Sequence, residues 1–166
     1  MSDIFFIADT HFGSDSILNY ENRPFSDTNE MDKNIIRRWN ATVSEEDMVF
    51  HLGDFGAEGR EPEIIRQLNG NIVLVKGNHD TGTNEYYRKA GFAEVYDYPI
   101  IFRDFWILSH EPLYVNTNMP YANVFGHVHA NPIIRDFSSQ HFCVCVERLQ
   151  YTPISFSRIK GIVAGE

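Results

Sequence analysis

Short, almost unbroken apolar runs recur along the first half of this chain. Ile4 to Ala8, Met48 to Leu52 and Ile72 to Val75 have the pattern of strands covered on both faces. Between them the spacing changes to that of helices. Met31, Ile35 and Trp39 fall four apart on one face of a predicted helix from about Thr28 to Asn40, with Asp27 and Glu30 at capping-box spacing. Pro62 suits the first turn of a short helix burying Ile64, Ile65 and Leu68, which Asn69-Gly70 ends. Thr83 or Asn84 can cap a third helix through Tyr86, Tyr87 and Ala90, stopped by Gly91. Phe12 to Phe25, carrying Gly13, Asn19, Asn22 and Pro24, reads as a loop.

The second half is richer in strands. Val95 to Tyr98, Ile100 to Phe102, Phe105 to Ser109, Ala122 to Phe125, Ile133 to Phe137, Phe142 to Glu147 and Ile154 to Ile159 all have strand character. Arg103-Asp104 is placed to make a tight hairpin turn. Alternating strands and helices followed by strands predict a mainly parallel sheet with a second sheet packed face to face against it. With no repeat, linker or low-complexity tract, residues 1–166 read as one domain.

Composition bounds this picture without changing it. At 43% apolar and 22% charged, the 166 residues suit a soluble globular protein with a sizeable core. No apolar run reaches membrane-spanning length, and Met1-Ser2-Asp3-Ile4 lacks the start of a secretory signal, so a cytoplasmic location is expected. The formal charge of −9 argues against binding long nucleic acid. Bound cations would nevertheless make a local site positive. The two cysteines, Cys143 and Cys145, read as small buried thiols, with a disulfide between them disfavoured by geometry.

Chemistry concentrates in five polar stretches, each following a predicted strand. They are Asp9-Thr10-His11, Gly53-Asp54, Gly77-Asn78-His79-Asp80, His110 and Gly126-His127-Val128-His129. Loops beyond strand C-termini converge on one crevice in an open α/β sheet. Two carboxylates, a carboxamide and five imidazoles would meet there, an N/O donor set sufficient for two divalent cations. Two such ions about 3.5–4 Å apart can hold a shared hydroxide as nucleophile and neutralise phosphoryl charge. Burying Asp9 and Asp54 without cations would cost several kcal/mol each.

In order and spacing these pieces resemble the signature of the calcineurin-like metallophosphoesterase superfamily: D-x-H, G-D, G-N-H-[DE], a lone His, then G-H-x-H. The resemblance implies a four-layer α/β/β/α sandwich of two facing mixed sheets, with the metal site at strand C-terminal ends. It implies one metal held by Asp9, His11, Asp54 and His129, and another by Asp54, Asn78, His110 and His127, with Asp54 bridging. His79 would then assist cleavage as general acid or electrostatic stabiliser, while Asp80 either orients His79 or caps the following loop. Mn2+ is the favoured metal, with Fe, Ni or Zn compatible with the same ligands.

Other residues are weaker candidates. Arg23 is within reach of a substrate phosphate if its loop folds over the site, although a solvated arginine is the commoner case. Tyr114 is a candidate stacking partner for a base or phenyl group, or an ordinary lid aromatic. His51 reads as structural or as a support behind a ligand, and His141 as a surface or edge residue. The expected activity is a phosphodiesterase on small or nucleotide-like substrates, ahead of a phosphomonoesterase, an end-processing nuclease and a non-catalytic scaffold of the same fold. Oligomeric state is left open.

Overall fold

The computed structural model of the protein describes residues 1–132 and 138–166. The expected strand at 133–137 lies outside them. Strands β1 (Ile4–Ile7), β2 (Met48–His51), β3 (Asn71–Val75) and β4 (Glu94–Tyr96) run parallel, and the antiparallel β9 (Ile154–Ser155) completes one sheet in the order β4-β3-β2-β1-β9. The second sheet has the order β5-β6-β7-β8, from β5 (Ile100–Phe102), β6 (Trp106–Ser109), β7 (Ala122–Phe125) and β8 (His141–Cys143). Here β5 is antiparallel to β6, and β6, β7 and β8 are parallel. The fold is α/β, two mixed sheets with helices, as expected.

Period-2 alternation explains why the first-sheet strands are apolar throughout. Phe5, Ile7, Val49, Ile72 and Leu74 face one cluster with Met31, Ile35 and Trp39 of helix α2 (Thr28–Thr42), Ile64 of α3 (Glu61–Ile65) and Tyr87 of α4 (Asn84–Ala90). Phe6, Ala8, Phe50, Leu52, Val73 and Val75 face the other way. They meet Trp106, Leu108, Ala122, Val124 and Val144 between the sheets. Each core thus draws alternate residues from the same strands.

Local signals set the helix ends. The Asp27 carboxylate accepts from the Glu30 N–H, and Glu30 reaches past it to the N–H and hydroxyl of Ser26. Thr83 caps α4 by accepting from Tyr86 N–H. Arg103 and Asp104, both left-handed, turn β5 into β6.

Three segments depart from expectation. Asp15–Tyr20 forms a short helix, α1, instead of continuous loop, with Ile17 buried in the first core. Ile154 to Ile159 holds only a two-residue strand before helix α5 (Phe156–Ala164) begins. The Ser155 hydroxyl accepts from Arg158 N–H, and Phe156 and Ile159 share one helical face toward the core between the sheets. An apolar run this short fits either period, and the cap decided for the helix. Likewise β8 stops at Cys143, before Val146–Arg148 turns as a 3-10 helix.

Candidate metal centre

The strands β1, β2, β3, β6 and β7 end at one edge of the two sheets, and each of the five motif loops follows one of these ends. Backbone bonds stitch the loops together: Asp9 N–H donates to Gly53 O at 2.9 Å, His11 N–H to Asp54 O at 3.0 Å and Gly126 N–H to His110 O at 2.8 Å. Asp9, His11, Asp54, His127 and His129 all have left-handed φ, between 49° and 70°. Non-glycine residues seldom adopt this region, at a cost of order 1–3 kcal/mol each, and such strain gathers at functional sites. The sharp turns aim these side chains back into the crevice. Glycine is required where loops meet carboxylates. A Cβ on Gly77 would strike Asp54 Oδ1, and one on Gly126 would lie 2.6 Å from Asp9 Oδ2.

Two groups of side chains converge. Asp9, His11 and His129 form one, Asp54, His110 and His127 the other, each with ligand atoms within 4.8 Å of one another. Asn78 joins the second group. Its Oδ1 lies 3.0 Å from His110 Nε2 and 3.1 Å from His127 Nδ1, and those two nitrogens are 3.1 Å apart. Donors bonded to one ion at about 2.0–2.2 Å stand about 3–3.5 Å from each other, so this triangle fits one face of a coordination sphere.

Each aspartate has one oxygen tethered and one turned to the imidazoles. Asp9 Oδ2 accepts from His127 N–H at 2.8 Å and the Cys145 thiol at 3.2 Å. Its Oδ1 is buried without a hydrogen bond, 3.6 Å from His129 Nε2 and 3.9 Å from His11 Nε2, and His11 Nε2 is equally unpartnered. Asp54 Oδ1 accepts from His79 N–H at 2.9 Å. Its Oδ2 stands between the groups, 3.6 Å from His11 Nε2 and 3.4 Å from His110 Nε2. One oxygen of Asp54, not both, therefore faces the two groups. Buried ligand-type atoms without partners are what a cation would satisfy, so the donor set fits divalent metal.

The tautomers are set from behind. His110 Nδ1 is 2.7 Å from Leu52 O, which only accepts, so Nδ1 carries the proton and Nε2 faces the site. His129 Nδ1 donates to Glu147 at 2.9 Å and leaves its Nε2 toward Asp9. His51 is fully buried, outside both ligand groups. The Thr10 hydroxyl donates to Phe55 O and so must accept from His51 Nε2.

Charge follows from these contacts. Burial pushes Asp9 up to about 6 and pushes His11 and His51 down to about 3. Burial works against ionised Asp54 too, but hydrogen bonds and charge from His110, with the His79 N–H, hold it below the carboxylate range. His110 is buried as well, yet Asp54 and Asp9 raise it to about 9. Burial lowers His127; for His129 the same effect is outweighed by Glu147, which raises it.

Three sequence expectations need correction. Arg23 is not a phosphate contact. Its side chain is fully buried, donating to Asp9 O at 2.6 Å, Thr10 O at 2.8 Å and Glu147 at 2.7 Å. Asp80 is not positioned to orient His79. Both its oxygens are taken by the N–H groups of Asp54, Gly77 and Phe55, which pins two motif loops together. Tyr114 is 75% exposed and lies outside the residues lining the site cleft. His79 itself is exposed beside His11, ring centroids 5.4 Å apart.

Sequence reasoning missed Glu147 and α1. Glu147 closes a buried chain from Arg23 to His129 across 124 residues, which no local motif announces. The cysteines are free and buried as expected, with Cys145 serving as a donor to Asp9. His141, expected at a surface or edge, is half-buried in β8 and bonds Leu113 O. The cleft over both groups encloses about 620 Å³. No helix among the described residues is long and apolar enough to cross a membrane.

Residues 2–141 match the family model described as calcineurin-like phosphoesterase. An uncharacterized protein of Methanocaldococcus jannaschii is 34% identical over 98% of this chain and 92% of its own length. The Gene 66 protein of Mycobacterium phage L5 is 29% identical over 48% of this chain and 41% of its own. Among solved structures, a protein of unknown function from Aquifex aeolicus superposes with a TM-score of 0.75 at 26% identity, covering 98% of this chain and 100% of that one. The Pseudomonas putida nuclease MPE shares the fold, with a TM-score of 0.52 at 24% identity over 76% of this chain and 61% of that one.

Proposed function

The chain belongs to the calcineurin-like phosphoesterase family, and from that premise we propose that it is a dinuclear metal-dependent hydrolase of small or nucleotide-like phosphodiesters. The observation that carries this reading is Asp54 Oδ2, standing between His11 of one ligand group and His110 of the other. Asp9, His11, Asp54 and His129 would hold one ion, and Asp54, Asn78, His110 and His127 the second. When bound, two divalent ions supply Lewis acidity, acidifying water toward neutral pH and neutralising phosphoryl charge. A donor set with imidazole, carboxylate and carboxamide suits Mn2+, and equally accepts Fe, Ni or Zn.

The chain's own residues do the rest. His79, exposed at the cleft and outside both ligand groups, donates a proton to the departing ester oxygen as a water oxygen bonds to phosphorus and the ester P–O bond breaks; the proton that the water gives up passes to solvent, from which His79 is reprotonated. Its backbone N–H donates to Asp54 and so ties the acid's loop to the shared carboxylate. Asp80 holds the loops that carry both.

The test is Asp54→Asn, assayed by elemental analysis beside hydrolysis of bis(4-nitrophenyl) phosphate and 4-nitrophenyl phosphate with Mn2+. Loss of metal from both groups and of diester turnover is expected. Full metal occupancy in the variant would refute the bridging role, and preference for the monoester in the wild type would refute the diesterase assignment.

A further inference from the structure

His79 stands on a ridge between two clefts. The larger, about 620 Å³, runs over both ligand groups and continues along α1, where Ile17, Tyr20, Val128 and Asn131 line it. The smaller, about 240 Å³, lies on the other side of His79 and is lined by Tyr86, Tyr87, Thr81 and Thr83 with Glu58 and Glu61. A phosphomonoester has one organic arm and would leave one cleft empty, whereas a diester has two.

The linings carry a second message. No described residue lining either cleft is Lys or Arg, and negative charge is added by Glu58 and Glu61 in the smaller cleft and by Glu21, which groups with His129 and Glu147, in the larger. A further phosphate in either cleft would meet acidic and neutral side chains with no cation to pair with, a repulsive arrangement in a confined, partly desolvated space. Among the described residues that line the clefts, charge to pair with a phosphate would come only from ions held where the two ligand groups meet; Arg148, behind the lining, is engaged by the backbone carbonyls of His129 and Asn131. Tyr20, meanwhile, is 84% exposed at the C-terminal end of α1 and is among the residues lining the larger cleft. A large exposed aromatic beside apolar Ile17 and Val128 offers a face for a flat ring, and Glu21 and Asn131 offer acceptors for its N–H or hydroxyl groups.

We infer that the site takes a phosphodiester with a single charged phosphoryl group between two uncharged arms, the larger arm an aryl or nucleoside group stacked on Tyr20. Polyphosphates and oligonucleotides are disfavoured. This rests on the phosphodiesterase reading above and narrows its substrate.

The test compares thymidine 5′-(4-nitrophenyl phosphate), which has a nucleoside arm, with methyl 4-nitrophenyl phosphate, which does not, using Mn2+-loaded protein. Tyr20→Ala should lower the ratio of kcat/KM for the two substrates about tenfold, the contribution of stacking one base. Tyr98→Ala, equally exposed but outside both clefts, should leave the ratio unchanged. An unchanged ratio in Tyr20→Ala overturns the stacking assignment. Independently of turnover, indole fluorescence of Tyr20→Trp should be quenched by thymidine monophosphate, and less by thymidine triphosphate at equal concentration. Equal or stronger quenching by the triphosphate overturns the single-phosphate assignment. Quenching as expected, with neither ester hydrolysed by the wild type, would sink the hydrolase reading and leave the binding subsite standing.

Discussion

Single residues in this site divide into those that face the crevice and those that aim them. Asp9 Oδ1, His11 Nε2, Asp54 Oδ2 and His129 Nε2 face it; Leu52 O, Glu147 and Cys145 stand behind and fix which atom does so. Two predictions belong here. His79→Ala should keep both metals by elemental analysis and lose about 10²–10⁴-fold in kcat, the usual contribution of a positioned general acid. Unchanged turnover would remove its catalytic role. Glu147→Gln keeps the shape but weakens the acceptor behind His129, and should reduce affinity about 10–100-fold for one of the two ions. A metal titration with two resolved steps checks this, and equal weakening of both steps would contradict the assignment of His129 to one ion. The candidate ligands were legible in the sequence because six of the seven sit in compact motifs and the seventh, His110, directly follows a predicted strand. Arg23, Asp80 and Glu147 were misread or missed, since their roles depend on partners far along the chain.

At the scale of elements, the strand ends do the positioning. Five of the seven expected ligands sit on left-handed turns directly beyond β1, β2 and β7, so strand direction and a sharp reversal together set where each side chain points. Helices were legible where a cap and a four-residue apolar spacing agreed, as in α2. There, Asp27→Ala should remove the bond to Glu30 N–H and cost about 1 kcal/mol by urea denaturation, with metal content unaltered. No change in midpoint would show the cap to be dispensable. The short helices α1 and α5 were not legible from periodicity, because six to nine residues give too few turns for a helical period to stand out from a strand or a loop; the equally short α3 and α4 were legible from the signals at their ends, Pro62 and Asn69-Gly70 for one and Thr83 and Gly91 for the other.

For the whole molecule, the site is a concentration of charge that folding alone does not relieve. In the metal-free protein His110 is raised from 6.5 to about 9, so its contribution to stability is full below pH 6.5 and is lost as pH climbs through about 9. His11 and His51, lowered to about 3, act with the opposite sign below pH 6.5 and are neutral in both folded and unfolded chains above it. Between pH 6.5 and 9 the metal-free protein should therefore lose stability, while an ion competes with the proton on His110. The Tm gap between Mn2+-loaded and chelator-treated protein should widen across that range. A gap that is flat or narrows with pH would contradict the coupling of His110 to the metal.

Burial periodicity and short motifs are local properties, so the α/β class, most of the strands, the long helix and the set of ligand-type side chains can be read along the chain. Three-dimensional packing was needed to establish that Asp54 presents one oxygen to both groups, that Arg23 and Glu147 brace the centre from behind, and that Tyr20 lines the cleft. Those are relations between residues as many as 124 positions apart, and they are fixed by how two sheets bring their strand ends together rather than by any spacing along the chain.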